Sequence, residues 1–161
     1  MKRLSPELID AAHKSDIERI CCLVDSGHSL EGVCEEGSDL LYHFIWQCCD
    51  VNMVERLLAM GCRPENTNAI GGTPLVAAVW CNCPKLVELL LKVGADPNII
   101  AFVGDDEVSA LDAATSEYCC CDTDEEKARM IELESMIREA GGRVHSNSPK
   151  SGNFPDWKYK D

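Results

Sequence analysis

The sequence has no long apolar run, which excludes one class of protein at once. No window reaches the roughly 18 uncharged apolar residues that a membrane-spanning helix needs. The basic start at Lys2 and Arg3 is soon followed by Glu7 and Asp10, so no apolar segment of signal-peptide length follows it. We therefore expect a cytoplasmic protein that neither crosses nor binds a membrane.

The sequence also lacks an excess of basic residues. It has 15 Lys and Arg residues against 28 Asp and Glu residues, and its formal net charge is −13 over 161 residues. A chain of this charge repels the phosphate backbone of nucleic acids. It speeds the encounter with a basic protein or a cationic peptide. The composition argues against a nucleic-acid ligand and favours a basic protein partner.

The short motifs that mark common catalytic sites are absent. The sequence contains no G-x-x-x-x-G-K-[ST], no G-x-G-x-x-G, no H-E-x-x-H and no G-x-S-x-G. We expect a protein without enzymatic activity and without a cofactor. An enzyme whose active site is assembled from scattered residues is the alternative.

What the chain does contain is a repeat. With a shift of 33 residues, segment 37–65 aligns with segment 70–98 without a gap, including its Leu-Leu pair and its closing glycine. A shift of 34 residues brings segment 6–30 into the same frame. Segment 109–144 is a stretched fourth copy, with eleven additional residues between its two helices. Self-similarity at this period is typical of proteins built from stacked structural units.

The sequence of each copy predicts a pair of helices, most clearly in the third unit. Thr73 can cap the first helix, and Pro74 occupies the first helical position, where its missing N–H is not needed. Apolar residues at helical spacing predict the second helix over 85–91. Gly94 can adopt the left-handed conformation that ends it.

The third unit resembles the ankyrin repeat. Its TPLVAA segment (73–78) matches the family signature T-P-L-H-x-A, and GADPN (94–98) matches G-A-D-x-N. The second unit has LLYH (40–43) at the T-P-L-H positions, and the resemblance implies a structural role for its His43. The fold implied is an all-α solenoid of stacked helix-turn-helix units with projecting β-hairpin or loop fingers.

The resemblance also implies a domain organisation. One ankyrin-repeat domain spans 1–145, and a C-terminal tail occupies 146–161, where its aromatic residues favour docking on the last repeat over a free docking peptide. The connections at 28–38, 65–71 and 99–108 are long enough to form fingers. The predicted repeats cover about 4–36, 37–69, 70–105 and 106–145.

Acidic residues gather near these fingers. The stretch 21–55 has seven acidic residues and the stretch 99–126 has nine, and neither contains Lys or Arg. Ordinary solubility would explain such runs. The alternative is that they attract a basic partner, because partners of ankyrin domains lie across the finger tips and the exposed side of the first helices.

The alignment of the repeats then predicts which residues bind the partner. Trp80 is the proposed anchor, since tryptophan is a frequent hot spot, although it could instead pack against the fourth-repeat insertion. Trp46, one step earlier in register, is expected in the core. The predicted residues are His13, Lys14, Glu35, Glu36, Gln47, Cys48, Asn68, Ile70, Trp80, Cys81, Asp105, Asp106, Glu107, Ser116 and Glu117.

The eleven cysteines offer a second interpretation. Cys48 and Cys49 in one unit and Cys81 and Cys83 in the next flank equivalent turns. The chain has no C-x-x-C pair, however, which is the usual source of zinc ligands. In a chain without an export signal the thiols are most simply reduced, small apolar fillers, and we expect no metal site.

Together these features predict a non-enzymatic protein-protein interaction module, monomeric when free. It would bind, and mask or inhibit, a basic partner protein; an immunity protein that neutralises a nuclease or toxin is one specific form. The alternative is a thiol-rich metal-binding or redox-responsive protein.

Overall fold

The computed structural model describes residues 2–34, 37–65, 72–103, 106–115 and 123–145. Within these ranges it contains eight α-helices and one antiparallel β-hairpin. The helices are α1 (Pro6–His13), α2 (Ile17–Asp25), α3 (Leu40–Cys48), α4 (Val51–Ala59), α5 (Pro74–Trp80), α6 (Pro84–Lys92), α7 (Ala110–Ala114) and α8 (Asp124–Glu139). The strands are β1 (Ala101–Val103) and β2 (Asp106–Val108).

The helices form two layers, as the predicted solenoid requires. The first helices α1, α3, α5 and α7 pack side by side in chain order, and each packs on the second helix of its own unit. In the second layer α4, α6 and α8 pack in order, and an ion pair between Arg56 and Glu18 (2.6 Å) links α4 to α2. Buried side chains such as Phe44, Val79 and Leu90 fill the space between the layers. One unit cannot cover its own apolar face, so the stack depends on its neighbours.

A capping side chain starts every first helix, although the residue type changes. Thr73 Oγ1 accepts a hydrogen bond from Val76 N (3.2 Å), which confirms the predicted cap of the third unit. Asp39 takes this place in the second unit, where its Oδ1 accepts from Tyr42 N (2.8 Å). Ser109 caps α7 in the same way. The start of the helix is therefore preserved where the T-P-L-H signature is lost.

The turn between the two helices of a unit has one conformation in the first three units. Ser15, Cys49 and Asn82 occupy equivalent positions and have positive φ angles of 52°, 47° and 51°. None of them is glycine, so each bears the cost of a left-handed backbone that the packing of neighbouring units offsets. Gly94, after the second helix of the third unit, has φ 96°, as predicted.

The predicted fingers differ from one another. The 99–108 connection forms the hairpin of β1 and β2, in which Phe102 faces Glu107. In the described part of 28–38 the structure instead shows a parallel bridge between Arg3 and Val33. Gly32 permits this close approach, because a Cβ there would lie 2.8 Å from Leu4 N. The N-terminal segment thus pairs with this connection through Val33. Residues 66–71 lie outside the described ranges.

The fourth unit deviates most from the others. Its first helix α7 has 5 residues, and its second helix α8 has 16 residues against 9 in α6, so part of the insertion lengthens α8. The rest of the insertion, 116–122, and the predicted tail, 146–161, lie outside the described residues. None of the helices that the structure describes has both the length and the apolar character that a bilayer span requires.

Candidate functional site

Six predicted partner-binding residues lie along one edge of the first-helix layer. We name this edge, made of residues 13–15, 47–49 and 80–82, the turn edge. Its three parts touch: Ser15 Oγ lies 3.4 Å from Cys48 Sγ, and the side chains of Cys49 and Cys81 form a hydrogen bond. The Cys81 thiol also donates to the carbonyl oxygen of Ile45 in the preceding repeat (3.6 Å). The six residues are His13, Lys14, Gln47, Cys48, Trp80 and Cys81.

Exposure differs along the turn edge. His13, Lys14, Gln47 and Cys48 are exposed, whereas Trp80 and Cys81 of the third unit are half-buried. The start of α8 lies near this third part, because Asn82 Nδ2 donates to the Glu126 carbonyl oxygen (3.3 Å). The most open part of the turn edge therefore belongs to the first two repeats.

Trp80 is the last of three aromatic side chains that contact one another in sequence. Its ring stands edge-on to Trp46, with centroids 6.4 Å apart and an interplanar angle of 82°. Trp46 in turn stacks on Tyr42, with centroids 5.8 Å apart and rings 11° from parallel. Trp46 is half-buried and packs against the core, so the expected core position is only partly realised. The contact with Trp46 therefore favours one orientation of the Trp80 ring before any partner binds.

His43 occupies the histidine position of the signature and is buried, with 6% of its surface exposed. Its ring lies 5.6 Å from the exposed ring of His13 and stands edge-on to Phe44 at 5.7 Å. These contacts are with α1 and with its own helix, and they favour the structural role that the resemblance implies. His13 extends the aromatic surface to the first repeat.

The acidic finger is tied to the end of the last repeat. Glu107 lies in β2, and its Oε2 is 2.7 Å from His145 Nε2. The His145 backbone N–H donates to Asp112 Oδ2 (3.0 Å), and the same carboxylate oxygen accepts from Ser109. Glu107 therefore has an intramolecular partner, which sequence reasoning did not detect because His145 lies 38 residues away.

The remaining predicted residues have no described side chains. Asp106 is placed only as the first residue of β2. The residues that lie outside the described ranges are Glu35, Glu36, Asn68, Ile70, Asp105, Ser116 and Glu117.

Most acidic side chains that form ion pairs do so on the surface. Lys14 pairs with Asp10 (2.8 Å) one turn earlier in α1, and both side chains are about two-thirds exposed. Exposed pairs of this kind contribute about 0–1 kcal/mol to stability. The pairs leave the chain with its net charge of −13, which acts over the whole surface.

Asp39 is a buried acid that sequence reasoning did not single out. It is 4% exposed, and in the described part of the chain its Oδ2 has no hydrogen-bond partner. Burial raises the pKa of this carboxyl to about 6, although the Tyr42 and Leu41 backbone N–H groups oppose the shift. The position of Asp39 before α3 could have indicated a capping residue, but only the packing shows that this cap is buried.

The cysteines fall into different environments. The pKa of the Cys49 thiol is lowered to about 7 by a hydrogen bond with Cys81, against the opposing effect of burial. The pKa of Cys62 is raised to about 12, mainly by burial and secondly by the Asp39 charge. Among the described residues, no three His, Cys, Asp or Glu side chains form a group that could hold a metal ion.

Comparisons with known proteins agree with this architecture. The sequence model described as ankyrin repeats (3 copies) matches residues 8–101, more than half of the chain. The chain is 31% identical over 111 residues to the BTB/POZ domain and ankyrin repeat-containing protein NPR5 of Oryza sativa subsp. japonica, covering 67% of this chain and 21% of that protein. It is 28% identical over 104 residues to the inactive serine/threonine-protein kinase TEX14 of Bos taurus, covering 65% of this chain and 6% of that protein.

The chain thus spans about a fifth or less of either relative, and the likeness concerns the repeats. The helix pairs, their caps and their equivalent turns agree with the family match over the first three units. The chain belongs to the ankyrin-repeat family, whose repeats are protein-protein interaction modules.

Proposed function

We propose that this chain binds a basic protein and masks the surface of that partner, without catalysing a reaction. The observation that carries the proposal is the continuity of the turn edge across three repeats, with Trp80 oriented by Trp46. A rigid surface limits the ordering cost of association. Inhibition of a basic enzyme such as a nuclease or toxin, in the cytoplasm and by a monomer, is the specific form that we propose.

The charge supports the choice of a basic partner. At a net charge of −13 the chain attracts a cationic surface over distances of about the Debye length, roughly 8–10 Å at physiological salt. Charges at the rim of an interface mainly set the association rate, whereas buried aromatic side chains set its lifetime. We assign the first role to the 99–108 finger and the second to Trp80.

Reversing the finger charge should slow association. The variant Asp105→Lys/Asp106→Lys leaves Glu107 in place, because Glu107 holds His145. We expect its association rate with the partner to fall about tenfold at low salt and its salt dependence to flatten. The measurement is surface plasmon resonance at several salt concentrations, with the partner first isolated by affinity capture and identified by mass spectrometry.

The matched control carries the same charge change elsewhere. Glu132→Lys/Glu139→Lys alters two exposed residues farther along α8 by the same total charge. The control should lose less of the association rate than the finger variant. Equal rates for the two variants would show that net charge alone acts, and would remove the specific role of the finger.

Truncating Trp80 should act on the lifetime of the complex instead. Trp80→Ala removes the exposed part of the ring, and we expect dissociation to accelerate about tenfold or more with little change in the association rate. Circular dichroism of the free variant checks that α5 remains folded. A folded variant that dissociates at the wild-type rate would place the partner elsewhere on the chain.

A further inference from the structure

Two thiols from neighbouring repeats converge on one backbone oxygen. Cys49 Sγ donates to the Ile45 carbonyl oxygen at 3.3 Å, and Cys81 Sγ donates to the same oxygen at 3.6 Å. Cys49 follows α3 and Cys81 follows α5, so stacking of the second and third units brings them together. Both side chains are half-buried rather than fully enclosed.

The left-handed turn contributes to this placement. Cys49 has φ 47°, the conformation that Ser15 and Asn82 adopt in the neighbouring units. Its neighbour Cys48 is exposed instead and lies 3.4 Å from Ser15 Oγ. The two adjacent cysteines therefore have different surroundings, since Cys48 contacts the first repeat and Cys49 contacts Cys81 of the third.

The Cys49 thiol also differs from the Cys62 thiol in protonation. A side-chain hydrogen bond with Cys81 lowers the pKa of Cys49 to about 7, so a large fraction of it is thiolate at neutral pH. Burial and the Asp39 charge raise the pKa of Cys62 to about 12 and keep it as a thiol. The thiolate is the form that reacts with electrophiles and oxidants.

We propose that Cys49 and Cys81 are a peroxide-sensitive pair that closes into a reversible disulfide joining the second and third repeats. The pair lies within the turn edge, but its oxidation requires no partner, and it is a modification site rather than a metal site. The oxidant is a hydroperoxide, and the reductant is a low-molecular-weight thiol.

The reaction balances in two steps. The Cys49 thiolate attacks one oxygen of the hydroperoxide, the O–O bond breaks, and an alcohol (water in the case of hydrogen peroxide) leaves after it takes up a proton. Cys49 is then a sulfenic acid, and the Cys81 sulfur attacks it, forming the S–S bond and releasing water. Two thiols lose two electrons and two protons in total, and the hydroperoxide gains them. Two equivalents of a small thiol reverse the oxidation by thiol–disulfide exchange.

The disulfide would join the second and third repeats covalently within the turn edge. Cys81 directly follows Trp80, so oxidation fixes the backbone beside the proposed anchor. A disulfide between residues this far apart in sequence also restricts the unfolded chain, and we expect it to raise Tm by about 5–10 °C.

The experiment uses the full chain carrying Cys48→Ser, which removes the adjacent thiol without touching the pair. The reduced protein is treated with hydrogen peroxide at pH 7, alkylated and digested without reduction, and tandem mass spectrometry locates any linkage. We expect a Cys49–Cys81 linkage within one chain, a higher Tm, and reversal of both by dithiothreitol. A linkage that uses another cysteine in place of either member, or between two chains, would overturn the proposal, as would no linkage.

Alkylation rates provide a second measurement. With iodoacetamide at pH 7, Cys49 of the reduced protein should react at least about a hundredfold faster than Cys62, because the larger thiolate fraction outweighs the weaker intrinsic nucleophilicity. Comparable rates for the two would contradict the assignment of Cys49 as the attacking thiol.

Variants of the pair distinguish chemistry from folding. In Cys81→Ser, which keeps a hydroxyl donor beside Cys49, Cys49 should stop at the sulfenic acid, which a cyclic 1,3-dione traps, and the linkage should disappear. In Cys49→Ala neither the linkage nor the trapped adduct at residue 49 should form. Circular dichroism checks both folds. A folded Cys81 variant without the trapped adduct would overturn the first step.

Discussion

Replacing Phe44 with alanine is expected to lower the free energy of unfolding by about 3–5 kcal/mol. Phe44 is fully buried in α3, which packs between α1 and α5, so the cavity would open at the centre of the stack. Urea unfolding followed by far-ultraviolet circular dichroism measures the change. Because the units depend on one another, tryptophan fluorescence should report the same midpoint.

The matched control for Phe44→Ala is Ile131→Ala on α8. Ile131 is 69% exposed, and its truncation should change the free energy of unfolding by no more than about 0.5 kcal/mol. A Phe44 variant as stable as this control would contradict the packing role of Phe44. Two spectroscopic transitions that separate would show that the repeats do not unfold as a single unit.

The substitution Asp39→Asn is expected to stabilise the protein at neutral pH by about 1–3 kcal/mol. The pKa of Asp39 is raised from 3.8 to about 6 in the folded protein, so between these values the native state binds more protons than the unfolded state. The contribution of the Asp39 carboxyl to the stability of the wild type is therefore complete below pH 4 and is lost as the pH rises through 6. Asparagine keeps the capping oxygen and never carries the charge, so the difference from wild type should vanish near pH 4.

Urea unfolding of wild type and variant at pH 4 and pH 7.5 measures this difference. Asp50→Asn is the control, because Asp50 caps α4 in the same way, accepting from Asn52 N (2.9 Å), but is exposed. The control should change stability little at either pH. A stabilisation by Asp39→Asn that is equal at both pH values would mean that the buried charge is not its cause.

The structure changes the interpretation of the acidic finger. Glu107 was grouped with Asp105 and Asp106 as a free steering charge, but its carboxylate lies 2.7 Å from His145. The finger therefore has a structural function at the end of the last repeat. This is why the proposed charge reversal leaves Glu107 unchanged.

The structure also revises the uniform view of the cysteines. All were interpreted as small apolar fillers or as one collective metal or redox cluster. Cys34 is buried and fits the first interpretation, and Cys62 is held as a thiol by burial. Cys49 differs because a hydrogen bond with Cys81 of the next repeat lowers its pKa. Sequence reasoning placed both residues at equivalent turns but had no means to measure their distance or burial.

The sequence by itself determined the helix pairs, because their signals are local. Thr73 and Pro74 start α5 by contacts within a few residues, and Gly94 follows α6 for an equally local reason. Apolar periodicity decided which helix faces are buried. The ankyrin resemblance then supplied the order of stacking, and the family match over residues 8–101 confirms it.

Only the tertiary structure decided the properties that depend on distant residues. Cys49 contacts Cys81, Glu107 contacts His145, and Val33 pairs with Arg3, each across 30 or more positions of sequence. Local capping rules could not show that Asp39 is buried while Asp50 is exposed, since neighbouring repeats determine burial. Stacking brings these groups together or removes them from water, and a pKa or a reactive pair follows from that environment.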